Sequence, residues 1–133
     1  MKRVLDNKHW TIEERDDGGV LILARTREPF ATTADVSRAF DDVLTALAPY
    51  RGGARALLVD LRAARARDDP EFERASREQP DEIAKRFPRA VILVRTAIGQ
   101  LQLRRTLKGI ARRMTVFTDE AEALAHLAAP SRR

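Results

Sequence analysis

The stretch ALLVDL, residues 56–61, decides the fold class of this chain, and AVILVR, residues 90–95, repeats its pattern. Apart from Asp60 and Arg95, both runs are continuously apolar instead of alternating between apolar and polar residues. Strands that are buried on both faces have this composition, and they occur in parallel sheets covered by helices. The two runs therefore predict the centre of a parallel α/β sheet.

Segments with helical spacing separate and follow these strands. Apolar residues three and four positions apart mark one face of each predicted helix, and Thr, Asp and Pro residues mark the starts. The predicted helices cover residues 33–48, residues 70–87 with a break near Pro80, the segment after Gly99 and the segment after residues 119–122, with a last strand at residues 114–117.

The beginning of the chain predicts an antiparallel hairpin. Residues 9–15 and 19–25 have strand composition, and the Asp17-Gly18 pair between them is a strong two-residue turn signal. The resulting order is β-β-α-β-α-β-α-β-α, which gives about five mostly parallel strands packed with four helices. We expect a single α/β domain over residues 1–133, with residues 1–8 and 129–133 frayed.

Composition excludes several classes of function. The chain has no cysteine, which excludes disulfides, iron–sulfur clusters and cysteine nucleophiles, and its two histidines are too few for a histidine-rich metal centre. No apolar run approaches the roughly 20 residues that a membrane span needs, and no signal peptide is apparent. A cytoplasmic location is therefore expected.

No catalytic constellation is visible in the sequence. The three serines do not occur in a nucleophile elbow with a histidine partner, and the Gly pairs at 18–19 and 52–53 match neither a P-loop nor a GxGxxG motif. We therefore predict that the chain is not an enzyme and holds no metal or cofactor.

Two segments carry a resemblance to a known family. LLVDLR, residues 57–62, leads into a polar loop and a helix, and TDEAEAL, residues 118–124, opens the last helix. From about Trp10 to Leu127 the chain resembles the STAS superfamily of anti-sigma-factor antagonist domains. Within it, the chain looks like the sporulation-antagonist-like branch, whose fold is also similar to CRAL-TRIO lipid-binding domains.

The resemblance implies a non-enzymatic regulatory module that binds a protein partner. Antagonist domains of that family carry an Asp-Ser-Ser-Gly-like segment in which a serine is phosphorylated. At the corresponding place this chain has RDDPEF, residues 67–72, without serine or glycine. The resemblance therefore does not extend to the family's phosphorylatable serine.

Candidate binding residues lie at two predicted strand-to-helix connections. Asp60 ends a strand, where open α/β sheets place ligands, and the acidic pair at 68–69 suits a helix start as a cap, a docking site or a phosphate mimic. The connection at residues 96–100 presents backbone N–H groups at another helix start. The candidate partner- or ligand-binding residues are Asp60, Arg62, Arg67, Asp68, Asp69, Thr96, Gly99 and Gln100.

A basic face is predicted on the third helix. Its members, on the side opposite Leu103, are Arg104, Arg105, Lys108 and Arg112. Such a face suits an anion, an acidic partner or anionic lipid, or it is simply solvated. The chain has 25 Lys and Arg residues against 20 Asp and Glu, a net charge of +5, but the mixed signs argue against nucleic acid.

The leading hypothesis is a protein-interaction module that acts through residues 60–72 and the neighbouring helices. One alternative is a carrier of a small apolar ligand or lipid, as the CRAL-TRIO similarity implies. A second alternative is weak anion or nucleic-acid binding through the basic face. A homodimer through a sheet edge or a helix face is also open.

Overall fold

The structure is a computed structural model. It describes residues 2–15, 19–50, 56–64, 70–76, 79–87, 89–107 and 114–128. The strands are β1 (Lys2–Asp6), β2 (Trp10–Arg15), β3 (Val20–Arg25), β4 (Ala56–Asp60), β5 (Ala90–Leu93) and β6 (Thr115–Phe117). The helices are α1 (Thr33–Leu47), α2 (Pro70–Ser76), α3 (Gln79–Arg86), α4 (Ala97–Leu107) and α5 (Glu120–Ala128), and a 3-10 turn (Ala48–Tyr50) follows α1.

The six strands form one sheet in chain order. The predicted hairpin is confirmed, because β2 and β3 pair antiparallel with Ile12 opposite Leu23. From β3 to β6 all neighbours pair in parallel, with Leu58 of β4 opposite both Ile22 and Val91. The two continuously apolar runs thus lie at the centre of the parallel part, as their composition predicts.

The expectation that the start of the chain frays is wrong for Lys2–Asp6, which is a strand paired antiparallel with β2. Residues 129–133, also expected to fray, lie outside the described residues. The register shifts between Arg3 and Leu5, which marks a β-bulge. Through this irregularity both Val4 and Leu5 pack against the core, whereas neighbours in a regular strand face opposite sides. The sheet therefore has six strands instead of five, and the short KRVLD segment has no alternation by which to recognise the extra one.

The predicted break in the second helix stays a prediction, because residues 77–78, between its two described segments, lie outside the described residues. The helical residues form two segments, α2 and α3, and Pro80 is the second residue of α3. In the first turn of a helix the missing N–H of proline costs no hydrogen bond. The four predicted helices are therefore observed, the second of them as two described segments.

Side chains from alternate positions of the central strands fill two cores, one on each face of the sheet. Leu21 and Leu23 face the first core, which α1 and α3 cover, while Ile22 between them faces the second core under α5. The first core includes Trp10, Ile12, Phe40, Val43, Leu47, Leu57, Val59, Ile83, Phe87, Ile92 and Val116, and the second Ala56, Leu58, Val91, Leu93, Ala123 and Leu127.

Local hydrogen bonds fix the helix ends. Thr32 and Asp35 form the reciprocal capping box expected at the start of α1. Asp119 caps α5 by accepting the Glu122 N–H at 3.0 Å, and Arg89 donates to the Leu127 carbonyl at the other end. Within the described ranges, no helix combines the length and the apolar character required to cross a bilayer.

Candidate functional site

The C-terminal ends of β3, β4, β5 and β6 meet along one side of the sheet, which we name the carboxyl edge. The strands run parallel, so Asp60 at the end of β4 lies opposite Leu93 at the end of β5. Residue 61 continues past this point, its N–H donating to the Leu93 carbonyl at 2.8 Å. The loop after β4, the start of α4 and the start of α5 all leave from this edge.

Asp60 and Arg62, two of the predicted site residues, bind each other. Asp60 Oδ1 accepts hydrogen bonds from the backbone N–H and from Nε of Arg62, both at 3.0 Å, and Oδ2 accepts from Nη2 at 2.9 Å. This two-pronged pair fixes the turn that follows β4. The hydrogen bonds that Arg62 donates to Asp60, more than any other contact, raise the pKa of the Arg62 guanidinium above its ordinary value.

Glu120 extends this pair into a network of alternating charges. Arg62 Nη2 also donates to Glu120 Oε1 at 2.8 Å, and Arg15 Nη1 lies 3.7 Å from Glu120 Oε2. The four side chains Asp60, Arg62, Glu120 and Arg15 carry no net charge together, and they tie the β4 turn to the first residue of α5. We call them the charge network.

Sequence reasoning did not assign Glu120 or Arg15 to the site. The acidic start of the last helix is a usable signal for Glu120, because that helix begins at the same edge as Asp60. No local pattern points to Arg15, which lies at the far end of β2. Its Nε is buried without a hydrogen-bond partner in the described part of the chain.

Thr96 and Gly99 also contact each other instead of an open site. Thr96 Oγ1 accepts the Gly99 N–H at 2.9 Å, so that Thr96 caps α4. A Cβ on Gly99 would lie 3.1 Å from that oxygen, tighter than ordinary contact. The Gly99 N–H, one of the backbone groups predicted to bind a ligand, is therefore already bonded to Thr96.

Gln100 has a structural contact at the β6 edge of the sheet. Its Nε2 donates to the Val116 carbonyl at 2.7 Å. An unpaired carbonyl on an end strand is a site for pairing with another chain, and a side-chain donor removes one such group.

The remaining predicted site residues, in the loop after β4, are Arg67, Asp68 and Asp69. They lie outside the described residues, so their role stays a prediction.

The outward side of α4 is apolar at its start and basic further on. Ile98 and Leu101 are 71% and 52% exposed, and in the described ranges they are the only large apolar side chains classed as exposed. Arg104 and Arg105 are exposed as well, while Leu103 packs against the first core. We name Ile98, Leu101, Arg104 and Arg105 the α4 surface; Lys108 and Arg112 of the predicted basic face lie outside the described residues.

Ile98 and Leu101 are not among the site residues predicted from the sequence. Their spacing gives the signal, because residues 98, 101 and 105 fall on one stripe of a helix whose opposite side carries Leu103. Ile98 and Leu101 lie on the same side of the helix as Arg105, and Leu103 lies on the buried, opposite side. The helical wheel therefore predicts their exposure once Leu103 is placed in the core.

Arg25, at the end of β3, belongs to an aromatic cluster. Its guanidinium lies 5.5 Å from the Trp10 ring centroid and 4.5 Å from that of Phe30. Nη1 donates to the His9 carbonyl at 2.6 Å and Nη2 to the Glu28 carbonyl at 3.2 Å. Burial lowers the pKa of Arg25. The bond to His9 holds the β3 end against the turn before β2.

The carboxyl edge thus combines a neutral charge network with an exposed apolar and basic helix surface. Among the described residues, no cluster of three or more His, Cys, Asp or Glu side chains is arranged to hold a metal ion. Comparisons of the chain with protein-family models and with curated proteins find no match.

Proposed function

We propose that this chain is a non-enzymatic, STAS-like interaction module that binds a protein partner at the carboxyl edge of its sheet. The observation that carries the proposal is the exposure of Ile98 and Leu101 at the start of α4, beside this edge. Full burial of one such side chain contributes about 1.5–3 kcal/mol. Two of them one helical turn apart form the apolar centre of a docking surface.

The charge network favours docking over catalysis. Arg62 pairs with both Asp60 and Glu120. The two carboxylates therefore interact with a protein cation and not with a substrate, which argues against a role as general acid and base. A neutral charge network beside an exposed apolar pair suits recognition of a protein surface. Neighbouring residues 67–72 contribute to the same interface in this proposal.

The STAS-like assignment rests on LLVDLR and TDEAEAL, which are distant in sequence. Arg62 Nη2 in the first segment lies 2.8 Å from Glu120 Oε1 in the second, so the two segments that carry the resemblance are in contact. The absence of serine from residues 67–72 means that the proposed module does not switch by phosphorylation there.

Native mass spectrometry tests the proposal on protein purified from its own host, beside a denatured sample. We expect a stoichiometric protein partner with the wild type and its loss with I98S/L101S. The matched control A125S/A128S changes two exposed residues further along α5, on the other face of the sheet, and retains the partner.

Three results contradict the proposal. Equal retention of the partner by I98S/L101S removes α4 from the interface. A small molecule that is released on denaturation, with no protein partner, replaces the proposal with the apolar-ligand carrier. A bare monomer or homodimer leaves no partner for the module.

A further inference from the structure

We propose that the partner segment that docks on the α4 surface is an acidic amphipathic helix, with apolar side chains flanked by carboxylates. This inference rests on the proposed function and names the chemistry of its partner. Arg105 follows Leu101 by four residues and Ile98 by seven, so its side chain continues the same stripe. Arg104 lies on the flank of that stripe.

The two arginines of this surface have no ion pair with another described residue. Arg38 on α1 and Arg86 on α3 each pair with a carboxylate one turn away, at 3.1 Å and 2.6 Å. The α4 sequence AIGQLQLRRTL contains no acidic residue, and neither Arg104 nor Arg105 has an ion pair within the described ranges. A partner that brings carboxylates therefore meets cations that have no competing ion pair there.

The geometry fits a helix of limited length. α4 has 11 residues, which corresponds to about 16 Å, so three turns of a partner helix cover it. Apolar side chains at i and i+3 or i+4 would meet Ile98 and Leu101, and carboxylates one turn further would meet the arginines. This arrangement pairs each part of the α4 surface with a complementary group.

An anionic membrane offers negative charge and an apolar layer too, but the surface suits it less well. Membrane-surface helices present a broad apolar face with aromatic anchors. The α4 surface offers two apolar side chains, and its sequence has no aromatic residue. A protein segment is the occupant that so small an apolar centre favours.

Two synthetic peptides of equal length test the inference against the full chain. Both carry leucines at helical spacing, and their flanking positions are Glu in one and Lys in the other. Titration of ¹⁵N-labelled protein should show the Glu peptide shifting the amide resonances of residues 97–105 and the Lys peptide failing to do so. Binding should weaken about tenfold or more between low and high salt, because exposed charges are screened.

Charge reversal supplies the decisive variant. R104E/R105E should lose the Glu peptide and gain the Lys peptide, whereas I98S/L101S should bind neither. The control R27E/R74E makes the same change in net charge at two exposed arginines elsewhere and should bind the Glu peptide as the wild type does. This exchange of preference would not follow from a merely structural role of the arginines.

Several outcomes overturn the inference. They are equal binding of the two peptides, binding of neither, resonance shifts away from α4, and tighter binding to phosphatidylserine vesicles than to the Glu peptide. In the native mass spectra, a partner retained by R104E/R105E but lost by I98S/L101S leaves the proposed function intact and overturns the acidic partner. If no partner is found in the native mass spectra, the result contradicts the proposed function and is distinct from a failure of the peptide experiment.

Discussion

Arg62 contacts Asp60 at the end of β4 and Glu120 at the start of α5. The burial of these side chains decides how much the contacts contribute to the free energy of unfolding. Ion pairs between exposed side chains contribute about 0–1 kcal/mol. The Arg62 side chain is 41% exposed, but its partner Asp60 is only 17% exposed and accepts three hydrogen bonds from it. Loss of the guanidinium would leave a half-buried carboxylate without an ion pair among the described residues.

We therefore expect R62A to lower the free energy of unfolding by about 1–2 kcal/mol. R62K should cost less than R62A, because the ammonium keeps the charge but not the two-pronged geometry. Urea unfolding measures both. R38A is the control, since Arg38 is 75% exposed, and it should cost under about 0.5 kcal/mol. If R62A costs no more than R38A, the charge network does not stabilise the edge.

Asp35 predicts a dependence of stability on acid. Burial raises the pKa of Asp35, but the hydrogen bonds with Thr32 and the charge of Arg38 together lower it overall. The unfolded chain therefore takes up its proton at a higher pH than the folded chain does. The stabilisation is complete above the ordinary carboxyl pKa of about 4 and is lost as the pH falls through the lower, folded value.

D35N should accordingly reduce the acid sensitivity of the protein. The melting temperature of the wild type should fall more than that of D35N between about pH 6 and pH 3, since Asn does not titrate. E82Q should act in the same direction, because the hydrogen bond from Arg86 lowers the pKa of Glu82. Parallel melting curves for wild type and D35N across this range would show that the capping carboxylate does not titrate as described.

At the scale of single residues, local contacts are predictable and distant ones are not. Thr32 as a cap follows from residues three positions apart, because the hydrogen bond closes within one turn. The contact of Arg62 with Glu120 joins residues 58 apart. Only the packing of α5 on the sheet brings that pair together, so no pattern near either residue indicates it.

At the scale of elements, the strands differ in how plainly their sequences identify them. β4 and β5 are predictable because burial on both faces leaves an unbroken apolar run. β1 has only Val4 and Leu5 between charged residues, and its bulge removes the alternation that an edge strand usually shows. Its pairing depends on β2, whose position is fixed by the hairpin.

The strand β1 should contribute to stability even though it is an edge. We expect V4S/L5S to lower the free energy of unfolding by about 2–3 kcal/mol, because both side chains pack against the first core. Urea unfolding measures the loss, and hydrogen exchange should show protected amides in β1. T11S, a change at a position on the polar side of β2, is the control. An unchanged free energy for V4S/L5S would mean that this segment is frayed after all.

At the scale of the whole molecule, the two cores share their strands. β3, β4 and β5 each contribute alternate side chains to both faces, so Leu57 supports the first core and Leu58 the second. A strand that loses support on one face therefore loses order on the other. Since the helices contact the sheet from both sides, the described elements should unfold together and not face by face.

A substitution in the second core should consequently be felt in the first. Leu127 on α5 is 3% exposed, and L127A should cost about 2–4 kcal/mol through the cavity that it leaves. Trp10, the only tryptophan, lies in the first core, with its ring 6.3 Å from that of Phe40. Its fluorescence thus reports on the face of the sheet that Leu127 does not touch.

We expect L127A to lower the urea midpoint of Trp10 fluorescence by about 1–2 M, and the midpoint of far-ultraviolet circular dichroism by the same amount. A128S, a change at the exposed neighbour of Leu127, should leave both midpoints in place. A shift in circular dichroism without a shift in fluorescence would show that α5 and the second core unfold first. In that case the shared strands hold the first core without help from the other face.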